Sequence, residues 1–267
     1  MVNYPNSVFL AWQSPNHVWY PVGRLAYQPA VHGKPEYRFI YTKGAGRARR
    51  EVGFTPIDCF PVFEAEYVSE VLFPLFENRV MDSRRKGFSE YLDSLALPPE
   101  YREPIHILAV SGGQRQTDSF EVFPEFERAT LGDFEIHFFL HGTRHLGEQA
   151  LAHISNLHVG QRVQIVREEK NVGTLRPAMR IETLSGNAIG YTPNYLVPDF
   201  AYIQDKCIYK EQITVARINL ANPLDGRVLF RMVACWPPGY SAMMPDDFLP
   251  LQANPQMFTV ESMAVMA

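Results

Sequence analysis

Prolines and glycines recur along the whole chain and keep every regular element short. The 267 residues include 21 prolines and 17 glycines, and both residue types favour turns over long helices. The stretches between them are rich in residues that favour strands, with 18 phenylalanines, 13 tyrosines and frequent valine and isoleucine. Because 46% of the residues are hydrophobic, a sizeable core can be buried. The pattern predicts an α+β protein that is mostly β.

Proline clusters and changes of composition predict three segments. Segment 1–103 combines two alternating, strand-like stretches with helical spacing at 67–76 and 83–97. Pro98, Pro99 and Pro104 then interrupt the chain, and residues before proline avoid helical geometry. Segment 104–236 predicts a small β-barrel with flanking strands. Segment 237–267 has five prolines and no lysine or arginine, and it either packs as a strap on the body or awaits a partner.

Alternation and turn signals place the elements of the middle segment. The clearest turn is Ser185-Gly186-Asn187, which separates two alternating runs. The pattern predicts helices at about 148–158 and 195–203, and strands at 105–110, 134–140, 162–167, 179–182, 188–191, 211–218 and 227–235.

Charge, cysteine content and apolar runs limit which ligands the protein can bind and which cellular compartment it can occupy. The formal net charge is −4, so affinity for a polyanion must come from a local basic face. Cys59, Cys207 and Cys235 lie far apart without metal-binding spacing, which predicts buried free thiols in a reducing compartment. The N-terminus lacks signal-peptide features and no stretch of about 20 apolar residues occurs. We therefore expect a cytoplasmic protein.

No catalytic motif stands out in the sequence. His137, His141 and His145 are four residues apart, but they fall on a predicted strand and turn, where this spacing does not converge on one ion. The pattern G-x-S-x-G, the pattern H-E-x-x-H and the phosphate-loop pattern are missing. The sequence predicts a protein that is not an enzyme and that has no metal site or cofactor.

Two windows are locally basic. Residues 38–50 hold five cations and no acid, which is either a positive patch or a solvated loop. Residues 141–180 hold six cations against Glu148, Glu168 and Glu169; the cations are Arg144, Arg162, Arg167, Lys170, Arg176 and Arg180. Cations neutralise phosphates, and nearby aromatic rings stack on unpaired bases. The second window therefore indicates nucleic-acid binding, although local excesses of this size are common in globular domains.

A series of short motifs across the same region resembles the HIRAN domain family. The match covers about 70 residues within 138–210 and consists of Gly142-Thr143-Arg144-His145-Leu146, Ile154, Leu157, Gly160, Val163 to Glu169, Ala178-Met179-Arg180-Ile181 and Gly186-Asn187-Ala188-Ile189-Gly190-Tyr191. The resemblance implies a barrel related to the OB fold that binds DNA. It also implies that the module captures single-stranded 3′ ends, as it does in fork-remodelling helicases.

The resemblance implies a role for individual residues. Arg144 would contact a phosphate, His145 would stand where the family often has a stacking aromatic residue, and Tyr191 would line the same groove, followed by Asn194. Together with cations of the basic window, the predicted nucleic-acid-binding set is Arg144, His145, Arg167, Lys170, Asn171, Arg176, Tyr191 and Asn194.

The loop at 169–178 departs from the family pattern. Asn171 can serve as the family's asparagine, but Leu175 stands where an aspartate is expected. A leucine side chain cannot accept a hydrogen bond from a terminal hydroxyl. This weakens recognition of a 3′ end more than binding of the strand backbone, to which Arg176 can add a contact. The choice between DNA and RNA stays open.

A fainter likeness in the first segment gives the alternative function. Val22-Gly23-Arg24-Leu25, residues 37–41, the run from Leu72 to Arg79 and Arg84-Arg85 resemble the N-terminal subdomain of HipA-type toxin kinases. The kinase core is missing, so the likeness implies an interaction module. The leading prediction is single-stranded DNA binding in repair, defence or regulation. The alternative is a module that docks a HipA-like kinase or an antitoxin without binding DNA.

Overall fold

The described part of the chain divides into two compact units. The computed structural model describes residues 4–30, 33–115, 117–126, 128, 133–143, 146–168, 177–207, 211–220, 222, 224–243 and 245–259. One unit, here the sheet unit, comprises Tyr4–Phe88, Pro98–Glu125 and the chain from Met243 onward. The other, here the barrel unit, comprises Ser89–Leu97 and Phe126–Ala242. Residues 104–125 thus belong with the first segment and not with the barrel, unlike the predicted boundary near residue 103.

Among the described residues, twelve strands form two sheets of six. The strands are β1 (Ser7–Gln13), β2 (Trp19–Gln28), β3 (Glu36–Tyr41), β4 (Ala65–Ser69), β5 (Phe120–Pro124), β6 (Asp133–Phe139), β7 (Arg162–Glu168), β8 (Ala178–Thr183), β9 (Ala188–Tyr191), β10 (Gln212–Ile218), β11 (Val228–Cys235) and β12 (Gln256–Thr259). The α-helices are α1 (Lys43–Val52), α2 (Pro74–Glu77), α3 (Phe88–Ser94), α4 (Pro104–Ser111), α5 (Gly147–Ser155) and α6 (Val197–Lys206).

The sheet unit is built on the strand order β12-β4-β3-β2-β1-β5. Its neighbouring strands are antiparallel except for β12, which runs parallel to β4. An aromatic core fills one face, where the Phe39 and Phe60 rings stack with their centroids 3.8 Å apart. The buried Tyr41 hydroxyl donates to the Phe60 carbonyl at 2.7 Å and accepts from the Ile57 amide at 2.8 Å. This satisfies polar groups that would be costly to bury unpaired.

The C-terminal segment packs on the sheet unit as a strap, which we define as Pro245–Thr259. The Leu249 carbonyl accepts from the Lys43 amide at 2.8 Å, and the Leu251 amide donates to the Tyr41 carbonyl at 2.9 Å. The strap ends in β12 at the edge of the sheet. Of the two outcomes expected for this tail, the structure therefore shows the strap.

The barrel unit curls its sheet until the two edges meet. The strand order is β6-β11-β10-β7-β8-β9, so β6 and β9 are the edges. The chain leaving β6 reaches His141, which forms an antiparallel bridge with Tyr191 at the end of β9. Inside, the Phe138 ring packs against Phe200 of α6 and Phe230 of β11, with centroids 5.7 and 5.9 Å apart. The predicted fold class, mostly β with an OB-like barrel, is confirmed.

The prediction of free thiols was wrong for two cysteines. Cys207, just after α6, and Cys235, at the end of β11, form a disulfide with their Cα atoms 5.9 Å apart. Cys59 is free and half-buried, and burial raises its pKa to about 11. Sequence spacing does not reveal pairing between two cysteines that only the fold brings together. Because disulfides persist mainly in oxidising compartments, the cytoplasmic location remains a prediction.

Two local predictions in the sheet unit were wrong. The stretch 105–110, expected as a strand, forms helix α4, which begins at Pro104 and ends at the left-handed Gly112. The helix expected over 67–76 is instead strand β4 followed by the single turn α2, which Pro74 begins. The basic run after Thr42 is helix α1.

None of the described helices has the length and apolar character needed to cross a lipid bilayer.

Candidate nucleic-acid interface

The two sheet edges of the barrel meet at the pair His141 and Tyr191, which we call the seam. The His141 amide donates to the Tyr191 carbonyl at 3.0 Å, and the Tyr191 amide donates to the His141 carbonyl at 2.8 Å. Just before the pair, the Leu140 amide donates to the Val228 carbonyl at 2.9 Å. These bonds hold the chain that leads into the Gly-Thr-Arg-His motif against the end of β9.

Two glycines allow the backbones to approach this closely. Gly142 has φ +67°, in the left-handed region that favours glycine. A Cβ added there would lie 2.9 Å from Cδ2 of Tyr191, so the Tyr191 ring lies against the Gly142 Cα. A Cβ at Gly190 would lie 2.8 Å from the His141 carbonyl oxygen and would also overlap the Leu140 side chain. The glycines of the motif are therefore explained by packing at the seam.

The Tyr191 side chain lies on the outer face of the sheet beside Arg180. Arg180 pairs with Tyr191 in the β8–β9 register and with Val166 in the β7–β8 register, and paired residues project to the same face. Tyr191 is half-buried. Burial, and then the negative charge of Glu168, raise the pKa of its phenol, so the hydroxyl stays protonated and able to donate at neutral pH.

Two carboxylates hold Arg180 in place. Its Nε donates to Glu182 Oε1 at 2.8 Å, its Nη2 lies 2.6 Å from the same oxygen, and its Nη1 forms an ion pair with Glu168. Burial lowers the pKa of Arg180, but the hydrogen bond to Glu182 and the charges of both carboxylates raise it more. Because its charge is already balanced by two acids, Arg180 offers little to a phosphate and instead orders the face next to Tyr191.

Two buried hydroxyl groups flank the seam. Thr143 is 1% exposed and Thr192 is 2% exposed. Neither Oγ1 atom has a hydrogen-bond partner among the described residues. Buried polar groups are nearly always hydrogen-bonded, and exceptions call for an explanation such as a water or a ligand.

The described members of the predicted binding set do not all share one surface. Tyr191 lies at the seam, and Asn194 is exposed three residues later, at the start of a 3₁₀ turn, Asn194–Leu196. Arg167 pairs with Met179 in the β7–β8 register, on the face opposite Tyr191. Its Nη1 lies 3.3 Å from both carboxylate oxygens of Asp205 on α6. The structure thus separates Arg167 from Tyr191.

The remaining predicted residues lie outside the described part of the chain. They are Arg144, His145, Lys170, Asn171 and Arg176, together with Leu175. The position of the described segment His141–Thr143 is nevertheless fixed by the seam.

Sequence reasoning missed the part that Arg180 and the two threonines play. Arg180 belonged to the basic window, and its alternation with Glu182 was visible, but Glu168 is 12 residues away and meets it only through the β7–β8 pairing. Nothing in the sequence marks Thr143 and Thr192 as buried without a partner.

The closed sheet and its seam define the unit as a small OB-like β-barrel with an aromatic side chain at its closing edge. Two solved structures resemble part of this chain. A crystal structure of a protein from Lactobacillus plantarum covers 39% of this chain and 97% of its own, with 20% identity and a TM-score of 0.32. A crystal structure of the HIRAN domain of human HLTF covers 40% of this chain and 81% of its own, with 16% identity and a TM-score of 0.30.

No protein-family model matches the sequence, and no curated protein matches it. The description of the barrel therefore depends on its strand pairing. The likeness to HipA-type kinases has no support among the comparisons.

Proposed function

We propose that the barrel unit is a HIRAN-type module that binds single-stranded nucleic acid at the seam. The observation that supports this most directly is the pairing of His141 with Tyr191. This pairing brings the start of the Gly-Thr-Arg-His motif and the half-buried Tyr191 ring to one edge of the barrel. A binding groove formed by that motif and by the strand that ends at Tyr191 requires this proximity. Tyr191 would stack on a base, since aromatic rings hold unpaired bases with little regard to sequence.

The polar groups around the seam suggest how a strand would be held. The hydroxyls of Thr143 and Thr192 are buried, so a water molecule would have to link them to a phosphate or sugar oxygen at the seam. Arg180 is balanced by Glu168 and Glu182. Phosphate contacts are therefore assigned to Arg144, Lys170 and Arg176, as the basic window and the family resemblance predict. Recognition of a 3′ end is not part of the proposal, because Leu175 cannot accept a hydrogen bond from the terminal hydroxyl.

The first prediction concerns binding of a fluorescein-labelled 12-nucleotide single strand, followed by anisotropy. Affinity should fall roughly twentyfold when salt rises from about 50 to about 200 mM, the drop expected if three cations contact phosphates of a single strand. Replacement of Tyr191 by alanine should weaken binding about tenfold, because one stacked base is lost. Arg144→Ala should weaken it and also reduce the salt dependence, because one phosphate contact is removed.

Tyr191→Phe is the matched control, because it keeps the ring and removes only the hydroxyl. It should bind nearly as well as the wild-type protein. If the wild-type protein fails to bind the strand at low salt, the proposed function is wrong. If Tyr191→Ala binds normally, the strand lies elsewhere on the protein.

The alternative prediction, docking of a HipA-like kinase or an antitoxin by the sheet unit, has its own test. A protein partner that stays bound after nuclease treatment of the purified complex would support it. That the chain has no catalytic activity of its own also remains a prediction.

A further inference from the structure

The strap forms backbone hydrogen bonds with the sheet unit. The Leu249 carbonyl and the Leu251 amide bond to the chain at the end of β3, at 2.8 and 2.9 Å. Further on, β12 extends the sheet beside β4 in parallel, with Gln256 opposite Ala65. Main-chain pairing along a sheet edge is how many domains bind extended peptides. A nucleic acid cannot make these contacts, so the surface is shaped for a polypeptide.

Opposite charges fix the first turn of the strap on helix α1. The Arg47 Nε donates to Asp247 Oδ1 at 3.1 Å, and its Nη2 lies 2.6 Å from Oδ2. This bidentate ion pair fixes the orientation of the strap on α1 in addition to attracting it. The Lys43 ammonium lies 3.9 Å from Asp246 Oδ2. Two cations of the basic run 38–50, Lys43 and Arg47, thus pair with the two acids of the strap.

The helix surface is shaped to let another chain lie directly on it. A Cβ at Gly46 would lie 2.9 Å from Cδ1 of Leu251 in the strap. A Cβ at Gly44 would overlap the Pro21 carbonyl oxygen of β2 and would lie 3.0 Å from the Asp247 carbonyl oxygen of the strap. Two glycines inside a helix lower its intrinsic stability by about 1 kcal/mol each relative to alanine. Close packing of the strap is the structural reason for Gly46, whereas Gly44 is required first by the approach of α1 to β2.

Aromatic side chains anchor the strap at each end. The Phe248 ring meets Phe9 and Phe123 edge-on, with centroids 5.0 and 6.2 Å apart. The Phe258 ring stacks on Tyr67 with centroids 6.0 Å apart. Between these anchors much of the strap stays in solvent, with Leu249 44% and Met257 55% exposed. The strap therefore resembles a ligand on a surface more than a part of the core.

We propose that this surface is a peptide-binding groove that accepts a segment of a partner protein in place of the strap. The groove is defined by α1, the end of β3, the edge of β4 and the rings of Phe9 and Phe123. The partner segment would be extended and would carry an acidic residue followed by an aromatic residue and a leucine, as Asp247, Phe248 and Leu251 do in the strap. The strap is then a tethered competitor that keeps the groove closed. The groove belongs to the sheet unit, so the proposal does not depend on nucleic-acid binding by the barrel.

Because the strap is covalently joined to the protein, it lowers the apparent affinity of a free peptide for the groove. A segment joined by a short flexible linker acts at an effective concentration in the millimolar range. If the strap itself binds the groove with an intrinsic dissociation constant of about 0.1 mM, a competing peptide would bind the wild-type chain about tenfold more weakly than an open groove.

The test uses full-length protein and a fluorescein-labelled synthetic peptide with the sequence of residues 245–259. In the Asp247→Arg protein the strap is repelled from Arg47 while the groove itself is unchanged, so the peptide should bind up to about tenfold more tightly than it binds wild type. Leu251→Ala loosens the strap at a different contact and should act in the same direction. Circular dichroism should confirm that both variants are folded.

A charge exchange tests the orientation of the bound segment. The protein Arg47→Asp repels its own Asp247, and it should bind a peptide whose Asp247 is replaced by arginine in preference to the native peptide. Equal peptide binding by wild type and both loosened variants would overturn the proposal. The proposal would also be overturned if the preference between the two peptides did not change with the charge at residue 47. Displacement of the peptide by a 12-nucleotide single strand would overturn it as well, because α1 would then be a surface that binds polyanions.

Discussion

Gly190→Val is expected to lower the free energy of unfolding of the barrel unit by about 3 kcal/mol, at the upper end of overpacking costs. Gly190 faces the barrel interior opposite Ile181. The first carbon of any side chain there would lie 2.8 Å from the His141 carbonyl oxygen and would overlap Leu140, which is 1% exposed. The backbone would have to move, and the hydrogen bonds of the seam would be lost. Urea unfolding followed by circular dichroism measures the change.

A glycine with free space around it provides the control. At Gly226, in the same unit, an added Cβ would make only ordinary contacts, 3.6 Å or more from Asn222. Gly226→Ala should therefore unfold at nearly the wild-type urea concentration. Because Tyr191 shares the seam, Gly190→Val should also lose single-strand binding under conditions where it is still folded. A variant with wild-type stability would show that the seam does not hold the barrel closed.

The barrel was predictable because its local signals agree with its tertiary structure. Alternation at 162–167 and 179–182 and the turn at Ser185-Gly186-Asn187 each predict the elements that the structure shows. Residues that are buried on one face and exposed on the other leave a period of two in the sequence. Strand order left no such local trace and was not predicted, and the family resemblance implied only that the strands form a barrel related to the OB fold.

The sheet unit was harder to predict because two of its elements, α4 and β1, are buried on more than one side. The run from Ile105 to Val110 is apolar throughout and lies buried in α4. A continuous apolar run does not distinguish a buried strand from a buried helix. Pro104 and Gly112 were the better signals, since proline is favoured in the first turn and glycine just after the last. Strand β1, which pairs with both β2 and β5, was not predicted.

The site was predictable as a set of motifs and not as a surface. Tyr191 stood out because it follows the strand glycine of the family pattern. Arg167 was included for its charge alone, and strand alternation places it on the other face, beside Asp205. Charge counted along a sequence does not tell which acids will neutralise it, as Arg180 shows with Glu168 and Glu182.

Reduction of the Cys207–Cys235 disulfide is expected to lower the free energy of unfolding by about 3–4 kcal/mol. The bridge joins residues 28 apart, and a cross-link of that span restricts the unfolded chain by about this amount in the chain-entropy description. It connects the end of α6 to the end of β11, so the loss should appear in the barrel unit. Urea unfolding with and without a non-thiol reductant, at one pH and protein concentration, measures the difference.

Two cysteine variants show whether that loss comes from this bridge. The double variant Cys207→Ser and Cys235→Ser should unfold at the same urea concentration with or without reductant, because it has no bridge to lose. Cys59→Ser should respond as the wild type does, because Cys59 is the free thiol. Thiol titration of the denatured, unreduced protein should find only Cys59. If all three cysteines titrate and the reductant changes nothing, the two thiols are neighbours without a bond, and the barrel must be held by its strand pairing and core alone.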